Sequence, residues 1–75
     1  MTNYENTHSV CAASIGSVTH AMKAQKILSE NAIACSVNKV SSKSGCAYGV
    51  MFPCLQRKNV EIILSKNNIR VREYL

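Results

Sequence analysis

A short internal repeat constrains the fold of this chain more than any other sequence feature. Residues 27–33 (ILSENAI) align with residues 63–69 (ILSKNNI) at an offset of 36, with five identities in seven positions. The same offset places residues 10–15 on residues 46–51. Each half of the chain therefore has the pattern strand–helix–strand, which indicates duplication of one unit.

Hydropathy patterning gives the same order of elements. Strands are predicted where apolar residues are continuous or alternate, and helices where they recur every three to four positions, as at Val18 and Met22. The predicted strands cover residues 9–15, 33–40, 47–52 and 69–75, and the predicted helices cover residues 17–31 and 55–66.

Two such units in tandem predict an α+β fold, the ferredoxin-like split βαβ sandwich (βαββαβ). This fold has a four-stranded antiparallel sheet with two helices on one face. Residues 1–8 are predicted to be a polar lead-in, and residues 9–75 to form a single ferredoxin-like domain.

The composition favours a small globular protein with a basic surface. The 75 residues carry a net charge of +5, from nine Lys and Arg against four acidic residues. A chain of this length buries a small core, so partner proteins or a homodimer are open routes to further stability. The basic residues are dispersed and few aromatic side chains are present to stack on bases, so nucleic acid is not a predicted partner.

The N-terminal residues do not resemble a signal peptide, and no apolar stretch is long enough to cross a membrane. No membrane association is therefore predicted. A cytoplasmic location, with the cysteines in reduced form, is the expectation.

Cys46 is the candidate functional residue. It follows a Ser-rich loop at the point where that loop enters the third predicted strand. The first and third strands of this fold are antiparallel neighbours, so Cys46 is expected beside the end of the first strand and the opening turn of the first helix, which carries His20. The helix N-terminus, His20 and the loop residue Lys43 would each stabilise a thiolate at Cys46.

Other interpretations of this loop stay open. Ser42, Ser44 and Gly45 form either an anion-binding nest or an ordinary polar loop. Cys46 is either a reactive thiol or a small residue that suits a strand edge, since free cysteines are often buried and inert.

The other three cysteines carry no recognised motif. The sequence contains no C-x-x-C pair, so neither a zinc site nor a thioredoxin-type motif is indicated, and no metal site or cofactor is predicted. The predicted fold brings His8 and Cys11 near Cys54. This placement would allow a soft-metal site or a Cys11–Cys54 disulfide, and neither is favoured over free thiols. Cys35 alternates with apolar residues and is predicted to be an inert core thiol.

Three stretches of the chain, residues 17–26 (SVTHAMKAQK), residues 31–33 and residues 41–49 with their Gly45-Cys46 pair, resemble the small selenium/sulfur carrier-like proteins. These are short bacterial proteins. The resemblance implies a cytoplasmic carrier in which Cys46 holds sulfur or selenium as a persulfide or selenosulfide for transfer to a partner enzyme.

Individual residues follow the family pattern to different degrees. Ser42, Ser44 and Gly45 match the Ser-rich loop that ends in the carrier cysteine, and His20 matches a histidine in the first helical turn. Ala47 departs from the pattern, because a glycine is common there in the family.

Two functions remain open from the sequence. The first is a carrier that accepts sulfur or selenium on Cys46 from a donor protein and passes it to an acceptor. The second is a non-catalytic module that binds a protein or a small ligand, in which Cys46 is incidental. The sequence has no evident acid/base pair or cofactor motif for turnover of a free substrate, so a carrier or accessory protein is favoured over an independent enzyme.

Overall fold

The computed structural model describes residues 9–42 and 45–75 of the chain. In order, its elements are β1 (Val10–Gly16), α1 (Val18–Glu30), β2 (Ser36–Ser42), β3 (Gly45–Pro53), a 3₁₀ turn (Cys54–Gln56), α2 (Arg57–Lys66) and β4 (Glu73–Tyr74). The strands form one antiparallel sheet in the order β2-β3-β1-β4. This order and connectivity confirm the predicted ferredoxin-like fold. Neither helix in the described part of the chain is long and apolar enough to span a membrane.

The core lies between the two helices and one face of the sheet. Alternation along β1 and β3 directs every second side chain toward the helices. Ala21 and Ala24 are fully buried on α1, and their small side chains let the helix pack closely on the sheet. The core cluster consists of Ala13, Ile15, Ala24, Leu28, Ile33, Val50, Phe52, Val60 and Leu64.

A bulge in β1 sets the register between the two central strands. Ser14 pairs with Gly49 and Gly16 pairs with Tyr48, so β1 has one extra residue, Ile15, at this point. Gly49 is required beside the bulge because a Cβ atom at this position would overlap the backbone of β1. The close approach of the two strands therefore depends on the absence of a side chain.

The two copies of the repeat end their helices with the same motif. At the end of α1 the Ile33 N–H donates to the Leu28 carbonyl at 2.9 Å, and Ala32 has a φ of 63°. The equivalent positions after α2 are Ile69, with a matching 2.9 Å bond, and Asn68, with a φ of 59°. This is the Schellman motif, in which a left-handed residue reverses the chain and satisfies the last helical carbonyls. The shared geometry supports the duplication inferred from the sequence.

The same motif explains why some strand boundaries differ from the predicted ones. Ile33 and Ile69 were predicted to start strands, but they complete the helix ends, so β2 starts later and β4 shrinks to Glu73–Tyr74. In contrast, β2 and β3 extend further than predicted, until Ser42 pairs with Gly45. The predicted second helix begins as a 3₁₀ turn and becomes α-helical afterwards.

Replacing Ala32 with glycine is expected to stabilise the protein by about 0.5–1 kcal/mol. A Cβ atom at a left-handed φ costs roughly 1–2 kcal/mol, and the greater backbone freedom of glycine in the unfolded chain offsets part of the gain. Urea denaturation followed by circular dichroism measures the change. Ala34→Gly is the matched control, since Ala34 is exposed and has no positive φ, and this variant should be unchanged or less stable. Equal effects of the two substitutions would contradict the motif.

Candidate functional site

Cys46 is the second residue of β3 and lies opposite Ser41 in the β2–β3 hairpin. Its Sγ atom is 3.4 Å from Ser41 Oγ, a hydrogen-bond contact in which either atom is able to donate. The side chain is exposed to solvent. Instead of preceding the strand, as its sequence position predicts, Cys46 lies within it, and the hairpin fixes its backbone while the thiol stays accessible.

The strand register places Cys46 past the end of β1. The last β1–β3 pair joins Gly16 to Tyr48, so Cys46 lies two residues further toward the hairpin loop. Alternation along β3 puts Cys46, Tyr48 and Val50 on one face, and Val50 belongs to the core beneath the helices. Cys46 is therefore on the helix side of the sheet, at its hairpin end.

His20 lies in the first turn of α1, as predicted, but it contacts Ser17 instead of Cys46. Ser17 caps α1: its Oγ accepts a hydrogen bond from the His20 backbone N–H at 3.3 Å and lies 2.8 Å from His20 Nδ1. The His20 side chain lines a cavity together with Lys23 and Arg70. Within the described residues, the structure thus pairs His20 with Ser17 and Cys46 with Ser41, and it does not join the two pairs.

The opposite flank of α1 faces β2 and carries exposed apolar side chains. Gln25 Nε2 donates to the carbonyl of Cys35, just before β2, at 3.3 Å. Val18 and Met22 share this flank because positions i, i+4 and i+7 of a helix align. They are 43% and 57% exposed, although both belong to the apolar pattern that predicts this helix.

Tyr48 is a third exposed apolar side chain on the helix side of the sheet, two residues from Cys46. It is partly exposed on the helix side of β3, and Lys39 Nζ lies 5.9 Å from its ring centroid. We call Val18, Met22 and Tyr48 the exposed apolar surface. Sequence reasoning did not identify Lys39 as the neighbour of Tyr48 or Ser41 as the partner of Cys46, although a hairpin closed between residues 42 and 45 would have placed each pair opposite one another.

The predicted anion nest lies partly within the described residues. Ser42 pairs with Gly45 at the end of the hairpin, and Gly45 has a φ of 113°, a conformation that favours glycine. Lys43 and Ser44 lie outside the described residues. The roles assigned to these four residues stay predictions.

Cys11 and Cys54 form a disulfide, with their Cα atoms 4.9 Å apart. Cys11 lies in β1, and Cys54 follows β3, where its N–H donates to the Ser9 carbonyl at 3.1 Å. The expectation that these cysteines are reduced is therefore wrong for this pair, because antiparallel pairing brings their side chains together. His8 lies outside the described residues. Since the two sulfur atoms are bonded to each other, they are not thiolate ligands for a metal.

Cys35 is a half-buried free thiol whose Sγ atom lies 3.8 Å from the Gln25 carbonyl. Burial raises the pKa of the Cys35 thiol, and a hydrogen bond with Ser29 opposes part of this rise. Cys35 packs against the core cluster, as predicted. A smaller fraction of thiolate and limited access both reduce its reactivity.

The fold and the site together define a class: a small ferredoxin-like protein with an exposed thiol at the end of its central hairpin. A family model described as "Putative Se/S carrier protein-like" matches residues 10–75. The chain belongs to this family, which confirms the resemblance noted in the sequence. No curated protein and no solved structure matches the chain.

Proposed function

We propose that this protein carries sulfur or selenium on Cys46, as a persulfide or selenosulfide, from a donor protein to an acceptor protein. One observation carries the proposal: of the four cysteines, Cys46 alone is both free and exposed. Cys35 is half-buried, and Cys11 is bonded to Cys54. Membership of the carrier-like family supports the same assignment.

The loading step is a thiol–persulfide exchange. The Cys46 thiolate attacks the terminal sulfur of a donor persulfide, R–S–SH, and forms a new S–S bond as the donor's S–S bond breaks. The donor leaves as a thiolate, R–S⁻, and Cys46 becomes Cys46–S–SH. Unloading repeats the exchange with an acceptor thiolate and releases the Cys46 thiolate, so neither step needs an external oxidant.

Ser41 is the described neighbour best placed to assist. Its Oγ lies 3.4 Å from Cys46 Sγ. When Cys46 is a thiolate, the hydroxyl must be the donor, and a hydrogen bond to the charged form stabilises it. Lys43 and the loop residues Ser42, Ser44 and Gly45 belong to the proposal as further sources of positive potential or hydrogen bonds, whereas His20, which contacts Ser17, would act only through the longer-range potential of its charge. Their contribution is a prediction from the sequence.

The separation between Cys46 and the other sulfur atoms also suits a carrier. Cys54 lies eight residues after Cys46, and the chain between them follows β3. At the usual rise of an extended strand, these eight residues span about 26 Å. Cys35 precedes Ser36, which pairs with Met51, so it lies near the same distal end of the sheet. A persulfide on Cys46 would therefore be safe from attack by a thiol of the same molecule.

The exposed apolar surface and the basic charge suit docking to partner proteins. Val18, Met22 and Tyr48 lie on the helix side of the sheet, as does Cys46, and Lys39 adds a cation beside Tyr48. The net charge of +5 favours acidic partners. The proposal places the exchange in the cytoplasm, where a free thiol such as that of Cys46 persists, and the Cys11–Cys54 disulfide is then an exception to the reduced state usual there.

Persulfide loading followed by intact-mass measurement without reductant tests the proposal. After incubation with glutathione persulfide, the wild-type protein is expected to gain the mass of one sulfur atom. Cys46→Ser should gain none, because the accepting thiolate is gone. Cys35→Ser is the matched control and should load as fully as the wild type, since Cys35 is half-buried and its pKa is raised.

Two outcomes would overturn the carrier role: no adduct on the wild-type protein, or an adduct that persists in Cys46→Ser. The first result would favour the binding module in which Cys46 is incidental, and the second would place the sulfur on another cysteine. Repeating the experiment with the selenium analogue of the donor distinguishes the two elements by the added mass.

A further inference from the structure

We propose that the cavity between α1 and the α2–β4 connection binds a small phosphate-bearing anion. The cavity has a volume of about 350 Å³ and is lined by Ile15, His20, Lys23, Asn68, Ile69 and Arg70. It lies on the flank of α1 away from β2, so it is separate from the Cys46–Ser41 pair. The proposal is independent of the carrier function.

The charge of the cavity wall selects an anion. Lys23 and Arg70 contribute two positive charges, His20 adds a third basic group, and the described residues that line the cavity include no carboxylate. Within residues 9–42 and 45–75, neither Lys23 nor Arg70 forms an ion pair. Such unneutralised cations around a concavity attract a ligand with more than one negative charge, and the planar guanidinium of Arg70 matches a phosphate group in two-point geometry.

Two parts of the cavity wall are held in place. The Schellman motif after α2 fixes Asn68 at a φ of 59°, directly before Ile69 and Arg70. His20 Nδ1 lies 2.8 Å from Ser17 Oγ, which fixes the orientation of the ring and leaves Nε2 as its other polar atom. Preorganisation of these two parts reduces the entropy lost when a ligand binds.

Apolar residues in the wall indicate an organic phosphate instead of a large acidic protein surface. Ile15 is buried and Ile69 half-buried, and both line the cavity together with the basic groups. The volume falls within the usual range for small-molecule pockets, which combine an apolar lining with a few polar groups. The ligand would therefore place its phosphate against Arg70 and Lys23 and its carbon skeleton against the two isoleucines.

Titration of the full chain with inorganic phosphate, monitored by amide chemical shifts, tests this site. Ionic strength is held constant with sodium chloride, because nonspecific attraction to a basic protein is screened by salt. Saturable shifts are expected at His20, Lys23 and residues 68–70. Arg70→Gln should weaken binding by about tenfold, the typical effect of one charge-assisted hydrogen bond. Arg72→Gln removes the same charge two residues away, outside the cavity, and should bind as the wild type does.

A second matched pair repeats the test on α1, where Lys23→Gln should weaken binding and Lys26→Gln should not. Equal effects within either pair, or shifts that rise linearly without saturation, would show general charge attraction and overturn the site. Saturation by a polyglutamate peptide but not by phosphate would replace the small ligand with an acidic protein partner. Cys46→Ser should bind phosphate normally, so failure of the carrier proposal and failure of this one are distinguishable.

Discussion

Gly49→Ala is expected to destabilise the protein by about 3 kcal/mol, the upper part of the range for added volume in a packed interior. A Cβ atom at Gly49 would overlap the carbonyl oxygen of Ala13 and come within 3.0 Å of its carbonyl carbon and 3.1 Å of the Ser14 Cα. All three atoms belong to the backbone of β1, so no side chain is able to move aside. Thermal unfolding should show a midpoint lower by roughly 12–24 °C for a domain of this size.

Ala47→Gly is the matched control for this prediction. Ala47 lies on the same strand and the same sheet face as Gly49, and its replacement should cost no more than about 1 kcal/mol. An unfolding midpoint of Gly49→Ala equal to that of the wild type would contradict the pairing of Ser14 with Gly49.

The topology could be predicted because the repeat fixes the order of the elements. Two strand–helix–strand units with short connections have few ways to form one sheet, and the observed strand order is the expected one. Strand ends were less predictable. An isoleucine after a polar helix end, such as Ile33 or Ile69, suits either the start of a strand or the last contact of a Schellman motif, and here both have the second role.

The candidate site was likewise predictable only in part. The sequence singles out Cys46, which the structure leaves free and exposed, but the partner of Cys46 depends on where the hairpin closes. The direction of the His20 side chain depends on which face of α1 packs on the sheet. Successive residues of a helix are rotated by about 100°, so a shift of one position would move His20 to another flank of α1. The spacing of Val18 and Met22 suits a core or an exposed surface equally well, and tertiary packing decides between them.

The cysteine pair illustrates what topology alone is able to predict. Antiparallel pairing of β1 and β3 brings Cys11 close to Cys54, and the sequence supports that proximity. The choice between a disulfide and a metal site depends on the exact separation. A Cα–Cα distance of 4.9 Å lies within the range that a disulfide bridges.

Reduction of the Cys11–Cys54 disulfide is expected to lower the free energy of unfolding by about 2–4 kcal/mol. The bond joins residues 43 positions apart, and closing a loop of this length restricts the unfolded chain by about 4 kcal/mol in the chain-entropy description. Urea denaturation of the same wild-type protein with and without dithiothreitol measures the effect without changing any side chain. The small core makes this contribution a large share of the total stability.

The double variant Cys11→Ala/Cys54→Ala separates this bond from other effects of the reductant. Its urea midpoint should be low and should not respond to dithiothreitol, and a midpoint of the wild-type protein that is equally unresponsive would contradict the disulfide. Persulfide loading of Cys46 should survive in the double variant, since the exchange uses Cys46 alone and the disulfide lies about 26 Å away along β3. Loss of loading in a folded double variant would instead indicate that Cys11 or Cys54 takes part in the exchange. Loss of the disulfide is thus expected to lower stability without affecting sulfur transfer, whereas loss of Cys46 should abolish sulfur transfer without lowering stability.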